Sequence, residues 1–71
     1  MTDPLFQVHR LNEEGLKKAA EIAVVFDTCL NSIVSMCPPG RELAIVKNNL
    51  EQACFFAKKA MANDPNNQAV Q

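Results

Sequence analysis

Apolar and polar positions along this chain recur with the spacing of helices. Between residues 12 and 36, Leu16, Ala19, Ile22, Ala23, Phe26, Cys29, Leu30, Ile33 and Val34 return every three or four positions. At 100° per residue they form one broad face, which Val25 and Met36 widen to about half the circumference. Between residues 40 and 62, Leu43, Val46, Leu50, Ala53, Ala57 and Ala60 step by threes and fours. That spacing predicts a heptad-like seam, broadened by Cys54 and Met61, and its alanines predict close helix approach. Ile45 and Phe56 lie well round from this seam by the same geometry. Strand signals are weak, because the β-branched cluster of Ile22, Val24 and Val25 sits inside the helical pattern.

The boundaries have their own signals. Asn12 is placed to cap the first helix, and Glu13 and Glu14 fall in its first turn, where carboxylates favour the helix dipole. Cys37, Pro38, Pro39 and Gly40 are the strongest punctuation. The first proline disfavours helix at Cys37 and the second delays its return until about Arg41. The run Asn63, Asp64, Pro65, Asn66, Asn67 ends the second helix. The predicted fold is all-α, an antiparallel two-helix hairpin with a short N-terminal segment. Residues 1–11 form an arm, residues 12–62 the hairpin (helices at about 12–36 and 40–62), and residues 63–71 a flexible tail. A two-helix hairpin hides one stripe of each helix, not half of a cylinder. The surplus therefore predicts a homo-oligomeric helical bundle.

Length and composition reinforce that expectation. The chain has 71 residues, about half a typical domain, and chains of that size bury only about 60% of their unfolded surface. Three cysteines cannot pair completely within one chain, so disulfides are a poor staple. Yet 48% of residues are hydrophobic, which is ordinary for a globular protein and not for a disordered tail. The net charge of −1 gives no global pull toward nucleic acid or membrane. No uninterrupted apolar stretch is longer than that of residues 22–26, which is far too short to span a bilayer. The start lacks the basic and apolar regions of a signal peptide, and unpaired cysteines fit a reducing cytosol, so a cytoplasmic location is expected.

Candidate chemistry is sparse. The soft metal ligands are His9, Cys29, Cys37 and Cys54, without Cys-x-x-Cys spacing, and Cys29 and Cys54 fall on apolar faces where cysteine acts as a small hydrophobe. Adjacent Glu13 and Glu14 point about 100° apart on a helix, and no nucleophile sits beside a base. No catalytic residue, metal or cofactor is expected, and the chain is read as a non-enzyme. Charge is uneven, however. The second helix carries Arg41, Lys47, Lys58 and Lys59 against Glu42 and Glu51, whereas the first carries Lys17 and Lys18 against four acidic residues. Phe55 lies on the polar side of the second helix, among Asn48, Glu51 and Lys59. It reads either as a base-stacking surface or as an oligomer contact. A helix-turn-helix fits poorly, because the helices are long, the linker is Pro-Pro-Gly and no face carries a row of base-reading side chains. Duplex DNA is not an expected partner.

Residues 40–61 resemble the second helix of the phage anti-CBASS cyclic-oligonucleotide sponge family, whose helical hairpin is shared with the Thoeris anti-defence sponges. The pattern is Arg-x-Leu-Ala-x-Ala-x-x-x-Leu-x-x-Ala, then an aromatic or Met pair, then Ala-x-(Lys/Arg)-Ala. Here it is met by Arg41, Leu43, Ala44, Leu50, Ala53, Phe55, Phe56, Ala57, Lys59 and Ala60, with Val46 in place of an alanine. On the N-terminal side, the aromatic-Arg pair ahead of a capped acidic helix start is matched by His9, Arg10, Asn12, Glu13 and Glu14.

The resemblance implies a compact homo-oligomer, a hexamer of interlocked hairpins, that binds cyclic di- or trinucleotides between protomers without cleaving them. Such a protein blocks antiphage signalling in an infected bacterial host. It places His9 at the base-stacking position, with Arg10 and Arg41 as phosphate contacts. Lys17, Lys18, Lys47 and Phe55 are secondary candidates, and the Lys58 and Lys59 end offers positive charge at interfaces. A family lysine aligns near Ala23, where this chain has no cation. The rival expectation is a structural or protein-binding oligomeric hairpin without a nucleotide ligand.

Overall fold

The computed structural model describes residues 3–70. In chain order they form a 3-10 turn at Pro4–Phe6, helix α1 at Glu13–Val34, helix α2 at Arg41–Ala62 and a second 3-10 turn at Pro65–Asn67. The all-helical hairpin is as predicted. Among the described residues the only extended pairing is an isolated antiparallel bridge between Leu11 and Gln68. No helix of the described residues is long and apolar enough to cross a membrane.

Local chemistry sets the helix ends. Asn12 caps α1 from an extended backbone, its side-chain oxygen accepting from the Gly15 N–H at 2.8 Å. Such a cap contributes about 1 kcal/mol. α1 ends at Val34, two residues short of expectation. The Ser35 and Met36 amides still bond the Asn31 and Ile33 carbonyls, but Pro38 disfavours helical backbone at Cys37. α2 resumes at Arg41 after an extended Gly40.

The interhelical seam departs from the predicted heptad. Leu43 is buried and Val46, Leu50, Cys54, Ala57 and Met61 are half-buried, whereas Ala53 and Ala60 are exposed. A strict alternation of three and four belongs to a supercoil of 3.5 residues per turn. These helices keep the straight period instead. From Leu43 to Met61 is about five turns of 3.6 residues, so both sit at one azimuth. Gly15, Ala19, Ile22, Phe26, Leu30 and Ile33 form the matching line on α1. Cys29, expected among the packed residues, is exposed because it lies on the flank of that line.

The result is a single layer of two helices, 47 × 25 × 11 Å. Its thinnest dimension is about one helix diameter. The radius of gyration is 15.0 Å, against about 11 Å for a compact chain of this length. Leu43 is the one buried apolar residue among those described. Val24, Val25, Met36, Phe55 and Phe56 are each more than 60% exposed. The accessible surface is 5786 Å², whereas a folded monomer of 7.8 kDa shows about 4,400 Å².

Beyond Ala62, where a flexible tail was expected, residues 63–70 fold back across the start of α1. Asp64 caps the second 3-10 turn, accepting from the Asn66 N–H at 3.0 Å. That turn carries Asn67 onto Gly15. A Cβ at Gly15 would run into the Asn67 carbonyl oxygen and the Leu11 side chain. In most helices Gly→Ala stabilises by about 0.5–1 kcal/mol. Here Gly15→Ala is expected to lower stability by about 1–3 kcal/mol, the range for overpacking. Thermal unfolding checks this, a gain in melting temperature being the contrary result.

Candidate functional site

The structure spreads the predicted ligand-binding residues along the hairpin. His9 and Arg10 lie in the extended segment between the first 3-10 turn and α1, His9 half-buried and Arg10 exposed. The segment is held by backbone pairing with the C-terminal residues: the Ala69 N–H donates to the Arg10 carbonyl at 2.8 Å and Leu11 bridges to Gln68. His9 and Arg10 on one side, with Gln68, Ala69 and Val70 on the other, line a cleft of about 80 Å³. The Arg10 side chain is exposed, where it can meet an anion.

Lys18 stands at the same end of the molecule but already has a partner. Its Nζ donates to Asn67 Oδ1 at 2.8 Å, and the side chain is half-buried. It also borders a groove of about 380 Å³ formed by Ile22, Val25, Ala57 and Met61. Lys17 is exposed and points about 100° away from Lys18 by helix geometry, lining none of these clefts. Lys59, at the basic end of α2, donates from Nζ to the Leu5 carbonyl at 2.6 Å and thereby ties the arm down.

Lys47 and Phe55 do come together. They border a second groove, of about 340 Å³, on the opposite flank of the seam, floored by Phe26, Leu30 and Leu50. Asp27 and Glu51 share its rim, so the single cation there is offset by carboxylates. Ala23 lines this groove and brings no charge.

Arg41 is exposed as the first residue of α2. It lies at the loop end, and His9 and Arg10 at the other. α2 alone is about 33 Å long by its rise per residue. Within one chain, Arg41 and Arg10 cannot touch the same small ligand. Ligand sites span about 300–1,000 Å³, so the cleft at His9 is too small to enclose a nucleotide by itself.

Sequence reasoning missed Asn67, which is 2% exposed and joins three segments at this end. Its side-chain Nδ2 donates to the Met61 carbonyl at 2.9 Å, while Oδ1 accepts from Lys18. Asn12 reinforces the junction from the other side, Nδ2 donating to the Asn66 carbonyl at 2.8 Å. The available signal was Gly15, because an isolated glycine inside a helical pattern marks a close approach.

Comparison with known families gives one finding. A family model described as Acb2/Tad1, hairpin domain, matches residues 1–62. No curated protein and no solved structure matches the chain.

Proposed function

The chain belongs to the Acb2/Tad1 hairpin family, and we propose on that premise that it is a non-enzymatic sponge for cyclic oligonucleotides. Hairpins assemble into a homo-oligomer, a hexamer as the family resemblance implies. The assembly binds cyclic di- or trinucleotides between protomers and withholds them from bacterial antiphage effectors. It acts in the cytoplasm of the infected host. Sequestration asks for a stacking surface and phosphate contacts, supplied by His9, Arg10 and Arg41, and for no nucleophile.

The observation that carries this reading is the family match over the hairpin. The shape of the single chain supports its oligomeric part. The accessible surface exceeds that of a compact monomer by about 1,400 Å², which is more than the ~800 Å² each partner contributes to a standard interface. The scatter of the cations supports a shared pocket. An antiparallel pair of hairpins sets the loop end of one copy beside the arm of the other. The partner's Arg41 then faces His9 and Arg10, completing a pocket that neither chain can build alone.

Calorimetry and thermal shift against a panel of cyclic di- and trinucleotides test the proposal. A true ligand at a hundred times its Kd stabilises the folded form by about 2.7 kcal/mol. It should be recovered chemically unchanged on chromatography after prolonged incubation. Absence of any stabilisation, with every member in excess over protein, would leave the structural or protein-binding hairpin as the surviving account.

A further inference from the structure

Residues 63–70 lie beyond the stretch matched by the hairpin family, yet Asn67, Gln68 and Ala69 are tied into the molecule by hydrogen bonds. All the polar groups of Asn67 are engaged. Its N–H donates to the Asp64 carbonyl at 2.9 Å and its carbonyl accepts from the Asn12 N–H at 3.0 Å. Its side chain bridges Lys18 and Met61. Gln68 adds a bond from Nε2 to the Ala62 carbonyl at 2.9 Å. A buried amide left unpaired is costly, whereas a fully satisfied network specifies one arrangement. The network therefore holds the C-terminal segment in a single place against both helices.

From that place the segment reaches the arm. The Ala69 N–H bonds the Arg10 carbonyl, and Gln68, Ala69 and Val70 form the wall facing His9. On its other side the arm is held by the Lys59 bond to Leu5, four residues before His9. Phe6 and Val8 between them are 75% and 94% exposed. The Phe6 and Val8 side chains thus do little to fix the backbone leading to His9 and Arg10.

We propose that residues 63–70 are a positioning clip for the ligand-binding arm, with Asn67 at its centre. Asn67 touches no ligand. It acts by fixing Ala69, which fixes the backbone of Arg10 and with it the neighbouring His9. This inference uses the sponge reading only for its effect on affinity, because the placement of the arm is a property of the free protein.

The molecule has one histidine, so the imidazole proton signals report on the arm without assignment. Two variants cut the clip at different points. Asn67→Ala removes the side-chain bonds at its centre. Ala69→Pro removes the single N–H that holds Arg10 and leaves Asn67 intact. Gln68, with φ −97° and ψ 144°, already has the extended backbone that a following proline requires. Ala69→Ser keeps the N–H and serves as the control.

In Ala69→Pro the helical circular dichroism and the oligomeric mass should match wild type. The His9 signals should move to free-imidazole positions, and affinity for cyclic di-AMP, cyclic di-GMP or cyclic tri-AMP, whichever wild type binds, should fall tenfold or more. Asn67→Ala should shift the same signals, and Ala69→Ser should shift none. Unchanged His9 signals in Ala69→Pro overturn the clip. Moved signals with affinity within twofold of wild type overturn its positioning role. Should wild type bind none of the three probes, the sponge reading fails, while the His9 comparison still decides whether the clip holds the arm.

Discussion

If hairpins assemble as proposed, Val25→Asp should convert the oligomer into an unstable monomer. Val25 is 65% exposed in the single chain and lies beside the groove formed by Ile22, Ala57 and Met61. If the hairpin stood alone, an acidic residue at so exposed a position would change stability by no more than about 0.5 kcal/mol. If another copy covers this face, the same substitution buries a carboxylate without a partner. Lys18, the cation on that groove, already donates to Asn67. An uncompensated buried charge costs about 3–5 kcal/mol. For a domain this small each kcal/mol moves the melting temperature by about 4–8 °C. The expected result is a fall of well over 10 °C together with a monomeric mass by sedimentation. Asn48→Asp, on the polar side of α2, should leave both unchanged. A Val25→Asp protein with wild-type mass and melting temperature would show that this face is not an interface. The excess accessible surface would then need another explanation.

The difference between these outcomes rests on what the sequence already disclosed. The helices were legible because Asn12, the Pro38 and Pro39 pair and the Asp64-Pro65 step are local signals, each acting within a turn of where it stands. The surplus of apolar positions was legible as arithmetic, since two helices in one layer cannot cover half of each cylinder. The register of the seam was less so. A three-four alternation and a straight 3.6-residue period diverge by only one residue over five turns, and Ala53 and Cys54 are both acceptable at the point of divergence. The C-terminal fold-back was hidden because the bonds that hold it against the arm and α1 are long-range and polar. Nothing in Asn66, Asn67, Gln68 and Ala69 marks them as partners of Arg10, Asn12 and Lys18 some fifty residues earlier. Gly15 alone pointed there, since it occupies a helical position where alanine is ordinarily preferred.

The candidate site divided along the same line. Residue types favouring phosphate and a stacking ring were visible in His9, Arg10 and Arg41. Their separation was not, because the distance between the arm and the loop end follows from the antiparallel path. The sequence likewise gave no warning that Lys18 and Lys59 would be drawn into internal hydrogen bonds.

Separation of the two arginines leads to the second large effect, a complementation between inactive variants. Arg10→Ala and Arg41→Ala should each weaken cyclic oligonucleotide binding by about 10–100-fold, the equivalent of one charge-assisted hydrogen bond of about 1.5–3 kcal/mol. Neither should disturb folding. Both side chains are exposed, and the bond from Ala69 reaches the Arg10 carbonyl, which alanine retains. If each pocket takes Arg10 from one protomer and Arg41 from its partner, the two variants are defective in different halves of the same site. Co-refolded in equal amounts, they form mixed assemblies in which about one pocket in four receives both arginines, by random pairing across an interface that uses the same two patches on each copy. Titration calorimetry should then show a tight class of sites at about a quarter of the wild-type stoichiometry, absent from either variant alone. If one chain supplied both arginines, every pocket in the mixture would still lack one of them, and no tight class would appear. That outcome would refute the shared pocket without touching the family assignment. Recovery of the tight class would place the ligand between protomers and explain how a chain with an 80 Å³ cleft can hold a nucleotide at all.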